Sequence, residues 1–160
     1  MLMLLAACTR TTIDLSGEWQ FSMGDVPEFT DRITLPGSML TNGKGHDVTV
    51  DTRWTGSTYD SSYYYSPHLA RYREEGNVKY PFFLTPDKYY VGNAWYRRTV
   101  RVPSAWESRP VTLYLERPHI ETTLFVNGRE VGHQMSLSTP HQYDISEYVA
   151  YGDDNELVIC

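Results

Sequence analysis

W-Y-R-R-T-V-R-V-P (Trp95–Pro103), V-T-L-Y-L-E (Val111–Glu116) and E-T-T-L-F-V (Glu121–Val126), closed by Asn127-Gly128, decide the fold. These are three extended runs rich in β-branched and aromatic residues, each stopped by turn chemistry. Alternation puts Tyr96, Val100 and Val102 on one face of the first run. It puts Val111, Leu113 and Leu115 on one face of the second. Asn127-Gly128 is a strong short hairpin signal, because both residues tolerate positive φ. Glu130 to Gln134 returns from that turn. The three runs are expected to form a central sheet on which the rest of the chain packs.

Outward from this stretch, Leu15 to Ser22 reads as a first strand with Trp19 and Phe21 on one face, and Ile33 to Leu35 as a short strand ended by Pro36-Gly37. Residues 38–93 form a long insertion with few clean strands, and a loop this long inside a compact domain is often functional. Within it, Pro67 to Glu75 is expected to make one or two helical turns, with Pro first and Gly76 after the end. Val78 to Leu84 reads as a strand interrupted at Pro81. After the central runs come a short strand at Gln142 to Ile145, one turn at Ser146 to Val149 capped by Asp144 or Ser146, and a tight turn at Gly152 to Asn155. Leu157 to Cys160 reads as a final strand cut short. Many short strands with Gly and Pro turns and almost no helix predict an all-β, two-sheet antiparallel sandwich.

At 160 residues the chain has room for one domain with a real core, and is too short for a sandwich plus a barrel of about 250 residues. The net charge of −6 argues against a nucleic-acid footprint. The 13 Tyr and 4 Trp admit two readings: strand and loop packing, or platforms for sugar rings. Met1 to Ala7 is apolar and ends L-A-A-C at Cys8, which resembles a bacterial lipoprotein signal with lipidation at that cysteine. It lacks the basic start and longer apolar stretch of a full signal, so residues 1–8 are read as the remnant of one and 9–14 as a polar tether. The expected location is the bacterial cell envelope, periplasmic or anchored to the outer membrane. No apolar run is long enough to span a membrane, so contact with one would come only through the lipid. With Cys8 lipidated, Cys160 has no disulfide partner and reads as a strand thiol.

An ordered set of motifs carries a family resemblance: L-S-G-E-W-Q-F at Leu15, I-T-L-P-G-S at Ile33, W-Y-R-R at Trp95, V-N-G-R-E-V-G-H at Val126, Y-D-I-S-E-Y-V at Tyr143 and N-E-L-V-I at Asn155. Together they resemble the N-terminal domain of glycoside hydrolase family 2, which includes β-galactosidases, β-glucuronidases and β-mannosidases. The resemblance implies a jelly-roll, galactose-binding-like sandwich over residues 15–160. It also implies a non-catalytic role beside a C-terminal (β/α)8 barrel that supplies the carboxylates for retaining hydrolysis of a terminal β-glycoside, with a galactoside favoured. A stand-alone carbohydrate-binding module is the alternative.

Glycoside hydrolysis needs two carboxylates about 5 to 9.5 Å apart across the scissile bond. Glu74-Glu75 and Asp153-Asp154 are the pairs in view, both in turn-like charged sequence, and no catalytic residue is assigned. His46, His68, His119, His133 and His141 show no metal-ligand spacing, so no metal and no cofactor is expected. N-V-K-Y-P-F from Asn77 to Phe82 is similar to the N-V-x-Y-P segment of β-galactosidases, in which the Asn contacts the sugar; the matching position is Asn77. An amide offers donors and an acceptor to neighbouring hydroxyls. A turn-forming Asn after Gly76 is the competing reading. Tyr80 belongs to the same motif, and Trp54, with Tyr59, Tyr63, Tyr64 and Tyr65, forms an aromatic cluster upstream. Those rings either wall a sugar subsite or cover the sandwich edge. Trp54, Asn77 and Tyr80 are the candidate substrate contacts.

Overall fold

The computed structural model describes residues 11–48, 52, 65–78 and 86–160. Ten strands are present there: β1 (Gly17–Met23), β2 (Asp31–Leu35), β3 (His46–Asp47), β4 (Lys88–Tyr89), β5 (Ala94–Arg101), β6 (Thr112–Leu115), β7 (Glu121–Val126), β8 (Arg129–Met135), β9 (His141–Asp144) and β10 (Asp154–Ile159). A six-stranded layer runs β2-β1-β5-β10-β7-β8, a two-stranded layer pairs β6 with β9, and β3 pairs with β4 separately. Every pairing is antiparallel. The chain is therefore an antiparallel β-sandwich, as its strand pattern predicts.

One expectation needs correction. The three central runs do not share a sheet: β6 lies in the opposite layer, and β10 sits between β5 and β7. Alternation states which residues face the core but not from which side, so a period of two cannot assign a strand to a layer. The switch is made at Ser104–Trp106, a single 3-10 turn after Pro103 that carries the chain across to β6.

The core fills the gap between the layers. Trp19 and Phe21 of β1, Ile33 of β2, Leu124 and Val126 of β7, and Leu157 and Ile159 of β10 meet Val111, Leu113, Tyr143 and Ile145 of the facing layer. Phe21, Leu124 and Val126 have no exposure at all. Tyr96 is half buried and meets Phe21 edge-on at 5.2 Å between centroids. The Trp19 indole donates to Leu15 O at 2.9 Å, so a buried aromatic keeps its polar atom satisfied.

The Asn127-Gly128 hairpin forms between β7 and β8, with φ of 51° and 75°. Asn127 has a second role that composition does not reveal. Its Oδ1 accepts from Glu156 N at 3.0 Å, and its Nδ2 donates to Tyr148 O and to Asn155 Oδ1 at 3.0 and 2.8 Å. Asn155 is fully buried. Its Oδ1 also accepts from Ala150 N at 2.6 Å, and its Nδ2 donates to Ala150 O and Asp153 O at 2.9 and 3.0 Å. The two amides bind the hairpin, the 146–153 turns and the start of β10 into one corner. The same corner begins at Asp144, whose Oδ1 accepts from Ser146 N and Oγ. Those bonds, side chain first, hold its carboxyl below the usual carboxylate range.

Asn155→Ala strands buried partners on three segments and is expected to cost about 2–4 kcal/mol. Asn155→Asp keeps the acceptor, loses the donors and places a charge beside buried carbonyls, so it is expected to be no better. Urea unfolding midpoints of the three proteins check this; a shift below about 0.5 kcal/mol for the Ala variant contradicts it.

Candidate functional site

The insertion departs from β2 and returns into β5, so its base is built by residues near both. At its start, Asn42 reaches back across the turn: its Oδ1 accepts from Thr34 N at 2.9 Å, and its Nδ2 donates to Thr34 O and Ser38 O. Gly43 follows with φ of 66°, a left-handed residue that stops the 3-10 turn Leu40–Asn42. The chain then pairs with its own return as β3 and β4, His46 opposite Tyr89 and Asp47 opposite Lys88. This short ladder is the neck of the insertion.

One ion pair and one tyrosine hold the neck to the sandwich, and a second ion pair closes the neck itself. Lys44 Nζ reaches Asp31 Oδ2 at 2.6 Å, and Lys88 Nζ reaches Asp47 Oδ1 at 2.5 Å. The Tyr90 ring lies 5.9 Å from His46. The Tyr90 hydroxyl donates to Asn93 O at 2.6 Å and accepts from Gly24 N at 2.8 Å. Gly24 O accepts the Trp95 indole N–H at 2.8 Å. The neck therefore sits against the end of β1 and the start of β5. Ile159 of β10 pairs with Tyr96, so β10 finishes at this same end of the six-stranded layer.

Within the insertion, Pro67–Tyr72 makes the expected helical turns, in 3-10 form, with Pro at the first position. Asn77 closes the turns that follow: its Nδ2 donates to Arg71 O at 2.6 Å, and its N–H donates to Glu74 O at 3.0 Å. Arg73 Nη1 donates to Ser66 O at 3.2 Å, tying the two ends of the segment. Asn77 is half buried and does have the turn-closing role. An amide nevertheless carries a second N–H and an oxygen with two lone pairs beyond that bond. Trp54, Tyr80, Tyr59, Tyr63, Tyr64 and Cys8 lie outside the described residues, as does the run from 79 to 84. Tyr65 is 71% exposed.

The carboxylate pairs behave as surface groups. Glu74, Glu75, Asp153 and Asp154 are all exposed, and Asp154 lies 3.9 Å from Arg101. Among the described residues no group of three His, Cys, Asp or Glu is placed to hold a metal. His133 pairs with Glu121 at 2.7 Å. Cys160 is a half-buried free thiol; burial first, then the Glu121 carboxylate, pushes its pKa up, which disfavours the nucleophilic thiolate. No helix among the described residues is long and apolar enough to cross a membrane.

Sequence inspection misses a buried polar cluster. Thr122 Oγ1 lies 2.7 Å from both His141 Nδ1 and the Tyr143 hydroxyl, and that hydroxyl donates to Thr122 O at 2.8 Å. His141 is 1% exposed, and its Nε2 meets no partner among the described residues. The only signal for it was the inward parity of His141 with Tyr143 and Ile145 on one strand face.

The geometry is that of a scaffold presenting a clasped insertion, with no enclosed acid–base pair among the described residues. The family described as "Glycosyl hydrolases family 2, sugar binding domain" matches residues 13–160. The chain belongs to that family. As a family 2 domain it is 27% identical, over 91% of its length, to a β-galactosidase of Psychromonas ingrahamii, and covers 13% of that protein. It is 28% identical, over 97% of its length, to a β-galactosidase of Aeromonas hydrophila, and covers 14% of it. Among solved structures, an uncultured Clostridium sp. β-glucuronidase aligns over 99% of the domain with a TM-score of 0.58 at 19% identity, 23% of that chain being covered. The β-D-glucuronidase of Dictyoglomus thermophilum aligns over 91% of the domain and 18% of its own chain, with a TM-score of 0.56 at 22% identity. These structures share the fold.

The neck carries an acid-sensitive signature. The Lys44 hydrogen bond, then the Arg32 N–H, hold the Asp31 carboxyl below the usual carboxylate range; the Lys88 hydrogen bond, then its charge, do the same for Asp47. Folded values below unfolded ones give stabilisation that is present above the unfolded pKa and lost as pH falls through the folded one, hence below about pH 4. Amide hydrogen exchange at His46, Asp47, Lys88 and Tyr89 is expected to lose protection there. An Asp31→Asn, Asp47→Asn double variant is expected to show weaker protection at neutral pH and a flatter profile. An unchanged profile in the double variant contradicts the ion-pair clasp.

Proposed function

We propose that this chain is the non-catalytic sugar-binding domain of a longer family 2 glycosidase, β-galactosidase-like, that hydrolyses terminal β-linked sugars. Its insertion then contributes Asn77, with Trp54 and Tyr80, to a sugar pocket completed by a (β/α)8 barrel elsewhere in the polypeptide. The observation that carries this role is the neck: a long excursion is clasped by β3 and β4 at the end of the six-stranded layer where β10 also finishes. The family assignment and the length of the relatives, of which this chain spans about one seventh or less, support it. The barrel, the sugar and its linkage belong to the parent protein.

Asn77 tests the role. A single hydroxyl contact contributes about 0.5–1.5 kcal/mol, more where its loss leaves a buried partner unpaired, so Asn77→Ala in the parent enzyme is expected to lower kcat/KM about 3- to 100-fold. The same substitution in the 160-residue chain removes one surface turn bond and is expected to shift stability by no more than about 0.5 kcal/mol. Wild-type kinetics in the parent, or a kinetic loss matched by an equal loss of stability in the isolated chain, overturns the substrate role and leaves the turn. A reading frame that stops at Cys160 instead makes the chain a stand-alone carbohydrate-binding module.

We also propose that Cys8 carries a lipid that holds the protein in the bacterial cell envelope. One acyl chain gives only marginal binding, so anchoring requires the several chains of a bacterial lipoprotein. With the gene expressed from its native start, a palmitate analogue is expected to label the protein, and Cys8→Ala to abolish both labelling and membrane fractionation. Unchanged labelling in the variant rejects the anchor.

A further inference from the structure

Exposed apolar side chains are unevenly placed on this domain. Met135 is 70% exposed, Leu137 67% and Ile120 44%. They lie within two residues of one ladder step: Glu121 pairs with Met135, and Ser136 N donates to Ile120 O at 2.8 Å. Beside them a cleft of about 490 Å3 opens between the 116–119 and 136–140 loops, with Tyr114, Leu137, Pro118 and Pro140 on its apolar side and Glu116 and Arg117 at its polar side. Tyr114 is itself 54% exposed. Clustered exposed apolar groups mark interaction surfaces, whereas scattered ones do not. The corner also lies at the end of β8, the last strand of the six-stranded layer, just beyond the His133–Glu121 pair.

The direction of β10 indicates what meets this corner. Cys160 exchanges both backbone hydrogen bonds with Thr123, each at 2.9 Å. The strand is antiparallel to β7, so each further residue would lie beside Thr122, then Glu121, then Ile120. Two strand spacings, about 10 Å, separate β10 from β8. About three extended residues cover that distance.

We infer that the corner formed by Ile120, Met135 and Leu137 docks against the polypeptide that follows Cys160 in the longer parent protein. This rests on the proposal above that such a parent exists; the relatives are long enough to supply it. The contact is apolar in kind and sits at the same end of the sheet as the neck of the insertion, so it would fix the angle at which the insertion meets the rest of the protein.

Methionine oxidation reads this contact directly, because peroxide converts an accessible thioether to the sulfoxide and leaves a covered one slow. Met135 in the 160-residue chain is expected to oxidise at the rate of an exposed methionine. In the parent protein it is expected to oxidise at least about tenfold more slowly. Leu137→Glu is expected to leave the unfolding midpoint of the 160-residue chain unchanged and to restore fast Met135 oxidation in the parent. Equal rates in chain and parent overturn the inference while leaving the sugar-binding role intact. A reading frame that ends at Cys160 overturns both. Concentration-dependent protection of Met135 in the 160-residue chain assigns the corner to a second copy and also overturns it.

Discussion

A buried side-chain amide holds the two halves of this sandwich in register. Asn155 has no exposure, and its two polar atoms meet Ala150, Asp153 and Asn127. A buried amide is tolerable only when its donors and acceptor are met. Satisfying them fixes the chain on both sides of Gly152, and with it the point where β10 enters between β5 and β7. That insertion places Leu157 and Ile159 in the core. Asn127 couples the same corner to the β7–β8 hairpin, so one pair of amides links parts of the chain 28 residues apart.

Elsewhere the sandwich is closed by side chains standing in for backbone. Gln134 of β8 offers Oε1 to Gln142 N at 3.1 Å and Nε2 to Gln142 O, an amide completing a ladder between the two layers. Ser146 Oγ accepts from Val111 N at 2.9 Å, and the Tyr151 hydroxyl donates to Ser146 O at 3.0 Å. These contacts matter because, among the described residues, the β6–β9 layer has two strands and the ladder bonds that two strands allow. Among the described residues, aromatic side chains serve core, corner and neck: Trp19, Phe21 and Tyr143 in the core, Tyr148 and Tyr151 at the corner, Tyr90 and Trp95 at the neck.

The neck separates two mechanical roles. On the reading proposed above, the domain has to hold the base of the insertion in place against the sandwich. Short-range ion pairs on and beside a two-step ladder suit a base, since they fix orientation while each carboxylate stays exposed. Asn77 illustrates the division at the level of one residue. One amide hydrogen closes the 71–77 turn, and the rest of the group keeps a second N–H and acceptor lone pairs beyond that bond.

Local sequence determined much of this protein. Asn127-Gly128 specified a hairpin because few residue pairs accept two positive φ values in succession. Alternation put Trp19 with Phe21, and Val111 with Leu113, on shared faces that prove to be the inward ones, since every second strand residue shares a face. Pro67 and Gly76 bracketed the 3-10 segment Pro67–Tyr72 inside the insertion. The ordered motifs also sufficed to indicate the family. Only the tertiary structure decided that β6 crosses to the opposite layer, that β10 divides β5 from β7, that Asp47 meets Lys88 across the neck, and that His141 is buried against Thr122. The physical reason is common to all four. Each depends on which distant segment supplies the partner, and the dihedral and parity preferences of a local stretch are the same whichever partner arrives.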